Sequence, residues 1–373
     1  MPEQVYDPLA PLRIDGAPDI DVFVWGTVFL DIIFTGLESL PGDGQEIWAE
    51  GMGSCPGGIA NLAVAAQRLG LRTSLAAAFS DDAYGDFCWE TLADFEHVDL
   101  SRSRRFPGWH SPVTVSLAVN RDRGMVSHGH PAPIGPTELI GRPPRARAVI
   151  AELGEGRPLL GASEPTWVER ARADGALVFA NVGWDPSGRW SREVLDQLQV
   201  CHAFLANADE AMAYTRAETP AEALYALADL VPLAIVTNGE EGAMAIDSES
   251  GEEAVVPALR VSALDPTGAG DVFAASMVLG TVAGWPLQQR LSFAALCSSL
   301  AVQQFGGSLA APGWGDIADW WNSQRADPGT GSYHRSLLRR YAFLDDLVPD
   351  VPVGSGRRAT ATIARRADVP GYP

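Results

Sequence analysis

The chain has 373 residues, 46% of them hydrophobic, and a formal net charge of −20. That length and composition give one large α/β domain or two modest ones with a true core, and so negative a surface works against nucleic acid and anionic lipid as partners. No run of eighteen apolar residues is present to span a bilayer, and the opening residues lack the basic start and apolar stretch of a secretory signal, so a cytoplasmic protein is expected.

Residues 1–20 read as a loose leader, and the apolar DVFVWG at 21–26 as a first strand. Turn signals gather at Leu40-Pro41-Gly42-Asp43-Gly44, and an exposed strand is expected over 45–52. Pro56-Gly57-Gly58 is expected to open the amphipathic helix IANLAVAAQRLG, closed by Gly70. A strand follows at 72–79, a helix at 83–95 and a strand of β-branched and small residues at 112–119. Short apolar runs at 147–153, 176–182, 201–207 and 232–239 alternate with helical stretches such as 220–230. The alternation predicts a mostly parallel sheet covered on both faces. Long helices are expected near 271–283 and 286–304, with a third over 316–324. Residues 325–373 hold a linker, a short helix near 335–347 and an arginine-rich end, and read as a solvated or docked tail.

The four cysteines, Cys55, Cys88, Cys201 and Cys297, form no C-x-x-C pair and read as buried free thiols. His128 and His130 are too close in sequence for a helical zinc pair. All 27 basic residues are arginines. Without lysine there is no G-x-x-x-x-G-K-[ST] loop, no protein-kinase strand lysine and no Schiff base, so phosphate chemistry must use glycine backbone, arginine and metal. A dinucleotide-binding G-x-G-x-x-G is absent after the first strand, where Gly26-Thr-Val-Phe-Leu-Asp31 stands instead.

The sharpest segment is Asp265-Pro266-Thr267-Gly268-Ala269-Gly270-Asp271, at the start of a helix. Small residues let the backbone approach a ligand, and free N–H groups at a helix start hold an anion. An acid at the same point, Asp271, can take a proton from an attacking hydroxyl. Phosphoryl transfer asks mainly for positioning and electrostatic stabilisation, which such a kit supplies.

DPTGAGDVFAASMVLG resembles the C-terminal signature of the ribokinase, or PfkB, family of carbohydrate kinases, and Gly57-Gly58-Ile-Ala-Asn61-LAVAAQRLG resembles its N-terminal signature. WGTVFLDII with Asp31, FSDDAYGDF, Asn207-Ala-Asp-Glu210 and Thr237-Asn-Gly239-Glu-Glu-Gly242 resemble further blocks of that family, in order, over roughly residues 20–320. The resemblance implies a ribokinase-like three-layer α/β/α sandwich with a mostly parallel sheet and a small β-lid, built here from strands near 28–52 and 112–128, so that the kinase domain spans 21–324. It implies ATP-dependent transfer of the γ-phosphate to a hydroxyl of a small sugar. Asp271 is then the general base, and the backbone of Gly268, Ala269 and Gly270 the anion hole. Asp31, Gly57, Gly58 and Asn61 grip the acceptor, while Asn207, Thr237, Gly239 and Gly242 face the nucleotide. Glu210 and Asn207 organise Mg²⁺ through water, and Asp265 and Thr267 flank a monovalent-cation loop for K⁺, with Pro266 in place of a commoner small polar residue. Pairing of two subunits through the lid is a further implication.

Relatives that bind phosphorylated sugars use basic side chains near the acceptor. PGGIANLA has none, and Arg121 and Arg123 read as a hairpin turn, so an unphosphorylated sugar is favoured. Trp25, Trp48 and Trp109 are candidates to stack on it, with core or lid packing as the commoner role. A nucleoside kinase on the same scaffold and a catalytically silent sugar- or nucleotide-binding regulator are the competing readings.

Overall fold

The computed structural model describes residues 6–119, 122–154, 159–161, 163–183, 185, 187–304, 306–327, 329 and 331–351. Residues 6–19, ahead of the first strand, are packed rather than loose. Leu9 is buried, the Tyr6 ring meets Trp314 edge-on at 4.8 Å, and Arg13 donates to both oxygens of Asp21 at 2.6 and 2.7 Å. Asp21 is wholly buried and also accepts from Arg147 Nε at 3.0 Å and the Arg72 N–H at 2.8 Å.

Strand β1 (Ile20–Trp25) is followed after two residues by β2 (Val28–Leu37), and β3 is Gly51–Gly58. The strand expected over 45–52 begins only at Gly51. Pro56-Gly57-Gly58 ends that strand instead of opening the helix, because its pairing with β2 continues to the Val28↔Gly58 position. Helix α1 is Ile59–Arg68. The apolar run at 72–79 splits into β4 (Thr73–Ala76) and β5 (Ala78–Ser80), since the Ala77 N–H is taken by Ser103 Oγ. The helix expected over 83–95 is α2 (Ala83–Glu90), widened to π-type bonding at Thr91–Phe95, where Thr91 Oγ1 donates to the Phe87 carbonyl. Then come β6 (Arg104–Phe106), β7 (Val113–Val119), β8 (Asp122–His128), α3 (Pro136–Ile140), β9 (Ala146–Leu153), α4 (Trp167–Ala173) and β10 (Leu177–Val182). Next are β11 (Ala203–Asn207), α5 (Ala208–Thr215), α6 (Pro220–Ala228) and β12 (Leu233–Thr237). The short strands β13 (Ala243–Asp247) and β14 (Glu252–Val256) escape the sequence reading. The chain continues with α7 (Ala269–Val282), α8 (Leu287–Ala301), α9 (Trp314–Ala326) and α10 (Ser332–Arg340).

The main sheet runs β14-β13-β12-β11-β10-β9-β1-β4. Its strands pair in parallel from β12 to β4, with β13 and β14 antiparallel at one edge. Successive residues of β1 enter different cores: Val22 and Val24 join α1, α7, α8 and α9, while Phe23 joins α4, α5 and α6. A strand buried on both faces needs an unbroken apolar run, which is why these strands were legible in the sequence.

A second sheet has the order β3-β2-β7-β8, with β2 and β7 parallel. Asp31 and Ile33 lie on one face of β2, and Ile33 packs with Cys55 and Leu309. Of the two expected states of the tail, residues 332–344 take the docked one: Leu337, Tyr341 and Leu344 are buried in the same core as Phe293 and Trp314. Residues 352–373 and Arg121 lie outside the described residues.

Candidate active site

The carboxyl ends of four parallel strands form one edge of the main sheet, the place where open α/β sheets bind ligands. Register puts Glu152 at the end of β9 opposite Asn181 on β10, and Asn207 at the end of β11 opposite Thr237 at the end of β12. The structure therefore brings the predicted Asn207 and Thr237 side by side. Glu152 and Asn181 were missed by sequence reasoning. The signal available was their polarity at the close of apolar strands, in AELG and FANV.

Asn207 caps α5. Its Oδ1 accepts from the Glu210 N–H at 2.9 Å, and Glu210 Oε2 accepts from the Asn207 N–H at 3.1 Å. This reciprocal capping box fixes both side chains. Glu210 is buried, and desolvation raises its pKa, although the hydrogen bonds from Asn207 pull the other way.

Thr237 leads into a turn in which the Asn238 N–H donates to the Gly242 carbonyl at 2.7 Å. Gly242 has φ +104°, and a Cβ there would lie 2.0 Å from the Val256 carbonyl oxygen and 2.7 Å from both Pro257 Cα and the Ala258 nitrogen. Only glycine lets the turn press so closely on the chain leaving β14.

The loop before α7 is anchored from within. The buried carboxylate of Asp265 accepts from Thr267 Oγ1 at 2.6 Å, the Thr267 N–H at 2.9 Å and the Gly306 N–H at 3.4 Å. Thr267 is buried as well, so both residues of the expected cation loop hold the loop in shape. Gly268 caps α7, Ser298 Oγ pins the Ala269 carbonyl at 2.6 Å, and Asp271 stands half-buried in the first turn. A Cβ at Gly270 would meet nothing within 4 Å, so open space faces this helix start.

The N-terminal motif meets that loop. A Cβ on Gly268 would come 3.5 Å from Asn61 Cγ, and one on Gly307 would come 3.1 Å from Asn61 Oδ1 and 3.4 Å from Cys55 Sγ. Among the described residues Asn61 Oδ1 is buried without a hydrogen-bond partner. An orphan acceptor of this kind costs about 1–3 kcal/mol unless a ligand satisfies it. Asp31 is 5% exposed and lies over Gly57, where a Cβ would be 1.9 Å from Asp31 Oδ2. Burial first, then the Asp31 carboxylate, pushes the Cys88 thiol up to about 12 and Cys55 upward in the same direction. Asp31, Gly57, Asn61 and Gly268 thus form one neighbourhood built from the two ends of the kinase-like segment.

Residues 19–313 match the family model described as pfkB family carbohydrate kinase. The chain belongs to the pfkB family of carbohydrate kinases. It is therefore a phosphotransferase with an alcohol group as acceptor. A fructokinase from Klebsiella pneumoniae is 30% identical over 282 residues, 69% of this chain and 89% of that protein. An aminoimidazole riboside kinase from Salmonella typhimurium is 29% identical over 278 residues, 69% of this chain and 85% of the relative. A ribokinase from Schizosaccharomyces pombe is 41% identical over 78 residues, 21% of this chain and 24% of that protein. Among solved structures, Arabidopsis thaliana ribokinase complexed with ribose and ATP superposes with a TM-score of 0.62 at 22% identity, covering 80% of this chain and 96% of the other. An E. coli protein in complex with ATP and Mg²⁺ gives 0.68 at 20% identity, covering 82% and 99%.

In this pfkB-family kinase no three His, Cys, Asp or Glu side chains among the described residues gather into a metal cage. Hard cations held beside phosphates keep most of their water and need few protein ligands, so Glu210 and Asn207 fit Mg²⁺ as outer partners. The candidate tryptophans are placed differently from one another. Trp25 packs edge-on against Trp167, Trp109 Nε1–H donates to the Pro131 carbonyl at 3.2 Å, and Trp48 is 89% exposed.

Proposed function

We propose that this kinase transfers the γ-phosphate of ATP to a hydroxyl of a small unphosphorylated sugar. The observation that carries the reading is the orphan Asn61 Oδ1, buried beside Gly268 at the start of α7. A sugar hydroxyl donating to Asn61 lies next to the start of α7 and next to Asp271. Asp271 takes the hydroxyl proton, the oxygen attacks the γ-phosphorus, and the bond to the β,γ-bridging oxygen breaks to release ADP. The backbone N–H groups of Gly268 and Gly270 receive the charge on the moving phosphoryl group, and that of Ala269 joins them by leaving the Pro266 carbonyl, to which it donates at 3.2 Å. Asp31, on a strand face with Gly57 beneath it and Gly58 beyond, orients a second hydroxyl.

Asn207, Thr237, Gly239 and Gly242 take the nucleotide, on the strength of their common edge. Glu210 and Asn207 would hold Mg²⁺ through water, and such an ion would supply neutralisation of the phosphate charge. The small sheet of β3, β2, β7 and β8 acts as a lid that excludes water, and two copies pair through it. Asp265 and Thr267 shape a loop for K⁺.

The test is ADP release with Mg²⁺ and ATP over a panel of ribose, fructose, 2-keto-3-deoxygluconate and nucleosides, in K⁺ and in tetramethylammonium. Asp271→Asn is the control, expected to bind ATP and to lose about 10²-fold or more in turnover. Near-normal turnover in Asp271→Asn overturns the base; equal rates in the two cations overturn K⁺. A nucleoside acceptor is the second reading, favoured by the riboside kinase relative. Activity on nucleosides alone would select it, and ATP binding with silence across the panel would favour a regulator.

A further inference from the structure

The family match ends at residue 313, yet the chain continues into α10, which is neither loose nor remote. One face of α10 and the turn after it is anchored. Leu337, Tyr341 and Leu344 are buried, and Trp321 Nε1–H donates to Asp345 Oδ1 at 2.9 Å. Tyr333 and Arg340, on the same side of the helix as Leu337, reach the segment 257–264, which leaves β14 without regular structure and enters the anion loop. Arg340 Nη1 donates to the Pro257 carbonyl at 2.9 Å. Tyr333 Oη accepts from the Arg260 N–H at 3.2 Å, and the Arg260 guanidinium sits 4.7 Å over the Tyr333 ring.

That segment is also held elsewhere, for Leu259 is buried in the core with α7 and α8 and Val261 packs against it. Upstream, the Gly242 turn presses on Val256, Pro257 and Ala258, with no room for a Cβ. Downstream, the Leu264 N–H donates to the Val302 carbonyl at 2.7 Å, just before Asp265 anchors the phosphate loop. A segment lacking a ladder of its own keeps its position through such point contacts.

We propose that α10 is a positioning element for the nucleotide site, with Arg340 and Tyr333 as its positioning residues. They hold 257–264 so that the Gly239–Gly242 turn and the anion loop keep their spacing around ATP. The assignment rests on the nucleotide placement proposed above. It attaches to a part of this chain that the family match does not include, so nucleotide affinity here depends on residues outside the common fold.

The experiment is equilibrium binding of ATP and GTP to the full-length protein, with KM for ATP and for the acceptor measured in parallel. The variants are Arg340→Gln, Tyr333→Phe, Tyr333→Leu and the double Arg340→Gln/Tyr333→Leu, each with its melting temperature. Arg340→Gln is expected to weaken ATP about tenfold, the scale of one lost charge-assisted hydrogen bond, with acceptor KM unchanged. Tyr333→Phe keeps the ring under Arg260 and is expected to retain more ATP affinity than Tyr333→Leu. A folded double variant that binds ATP like the wild type, or that shifts both KM values equally, overturns the proposal. If the double variant does not fold, the ordering of the two Tyr333 variants decides. Failure of the wild type to bind ATP at all would instead remove the nucleotide reading on which the proposal stands.

Discussion

Asp31 and Gly57 illustrate how one backbone position sets the chemistry of its neighbour. The Asp31 carboxylate occupies the volume that any side chain at position 57 would need, 1.9 Å from a built Cβ. Gly57→Ala therefore pushes Asp31 out of the place from which we propose it orients the acceptor. We expect a rise of about tenfold or more in acceptor KM, little change in ATP KM and a stability loss of about 1–3 kcal/mol. An unchanged acceptor KM would show that Asp31 does not orient the acceptor. Asn61 was legible in the sequence as a polar residue in a family position, but its meaning comes from Gly268 and Gly307, which the fold carries to it. Glu152 and Asn181 were not legible, because a single polar residue closing an apolar strand is ordinary in sequence and gains meaning only from register with its neighbours.

The capping box of α5 is the clearest case at the level of elements. Asn207-Ala-Asp-Glu210 is a helix start by hydrogen bonding and a candidate ion site by chemistry, and the two roles share the same atoms. Because burial raises the Glu210 pKa, the folded state holds the Glu210 proton to a higher pH than the unfolded chain does. Between the ordinary glutamate value and the raised one, stability falls as pH rises, and above that window the full cost of the charge is in place. Glu210→Gln keeps an acceptor for the Asn207 N–H and removes the charge. We expect its melting temperature to exceed that of the wild type at pH 7 but not at pH 4, while turnover at fixed Mg²⁺ falls about 10- to 100-fold. A melting temperature below the wild type at pH 7 would refute the burial argument. The strand at 72–79 and the helix at 83–95 were legible as elements of the expected type. Their break at Ala77 and their widened last turn depend on Ser103 and on the Thr91 hydroxyl, which no periodicity reveals.

At the scale of the molecule, Asp21 ties the start of the chain to the sheet. It is fully buried and receives Arg13, Arg147 and the Arg72 N–H, so it joins the segment before β1 to β1, β9 and the approach to β4. Asp21→Asn leaves two guanidinium groups around a neutral amide. We expect a loss of about 3 kcal/mol in chemical denaturation, with KM values unaffected in the folded fraction. A loss below about 1 kcal/mol would mean that solvent already screens the cluster. The sequence by itself determined the parallel α/β core, because strands buried on both faces must be continuously apolar. The helix start at Asp265–Asp271 was legible too, because its glycines and acid are adjacent along the chain, although Gly306 and Ser298 hold that loop from outside it. The tertiary structure alone decided that Asn61 faces Gly268, that Asp31 needs Gly57, and that α10 contacts the segment leading to the Asp265–Asp271 loop. These are contacts between residues distant in sequence, fixed by packing and register, and no local pattern encodes them.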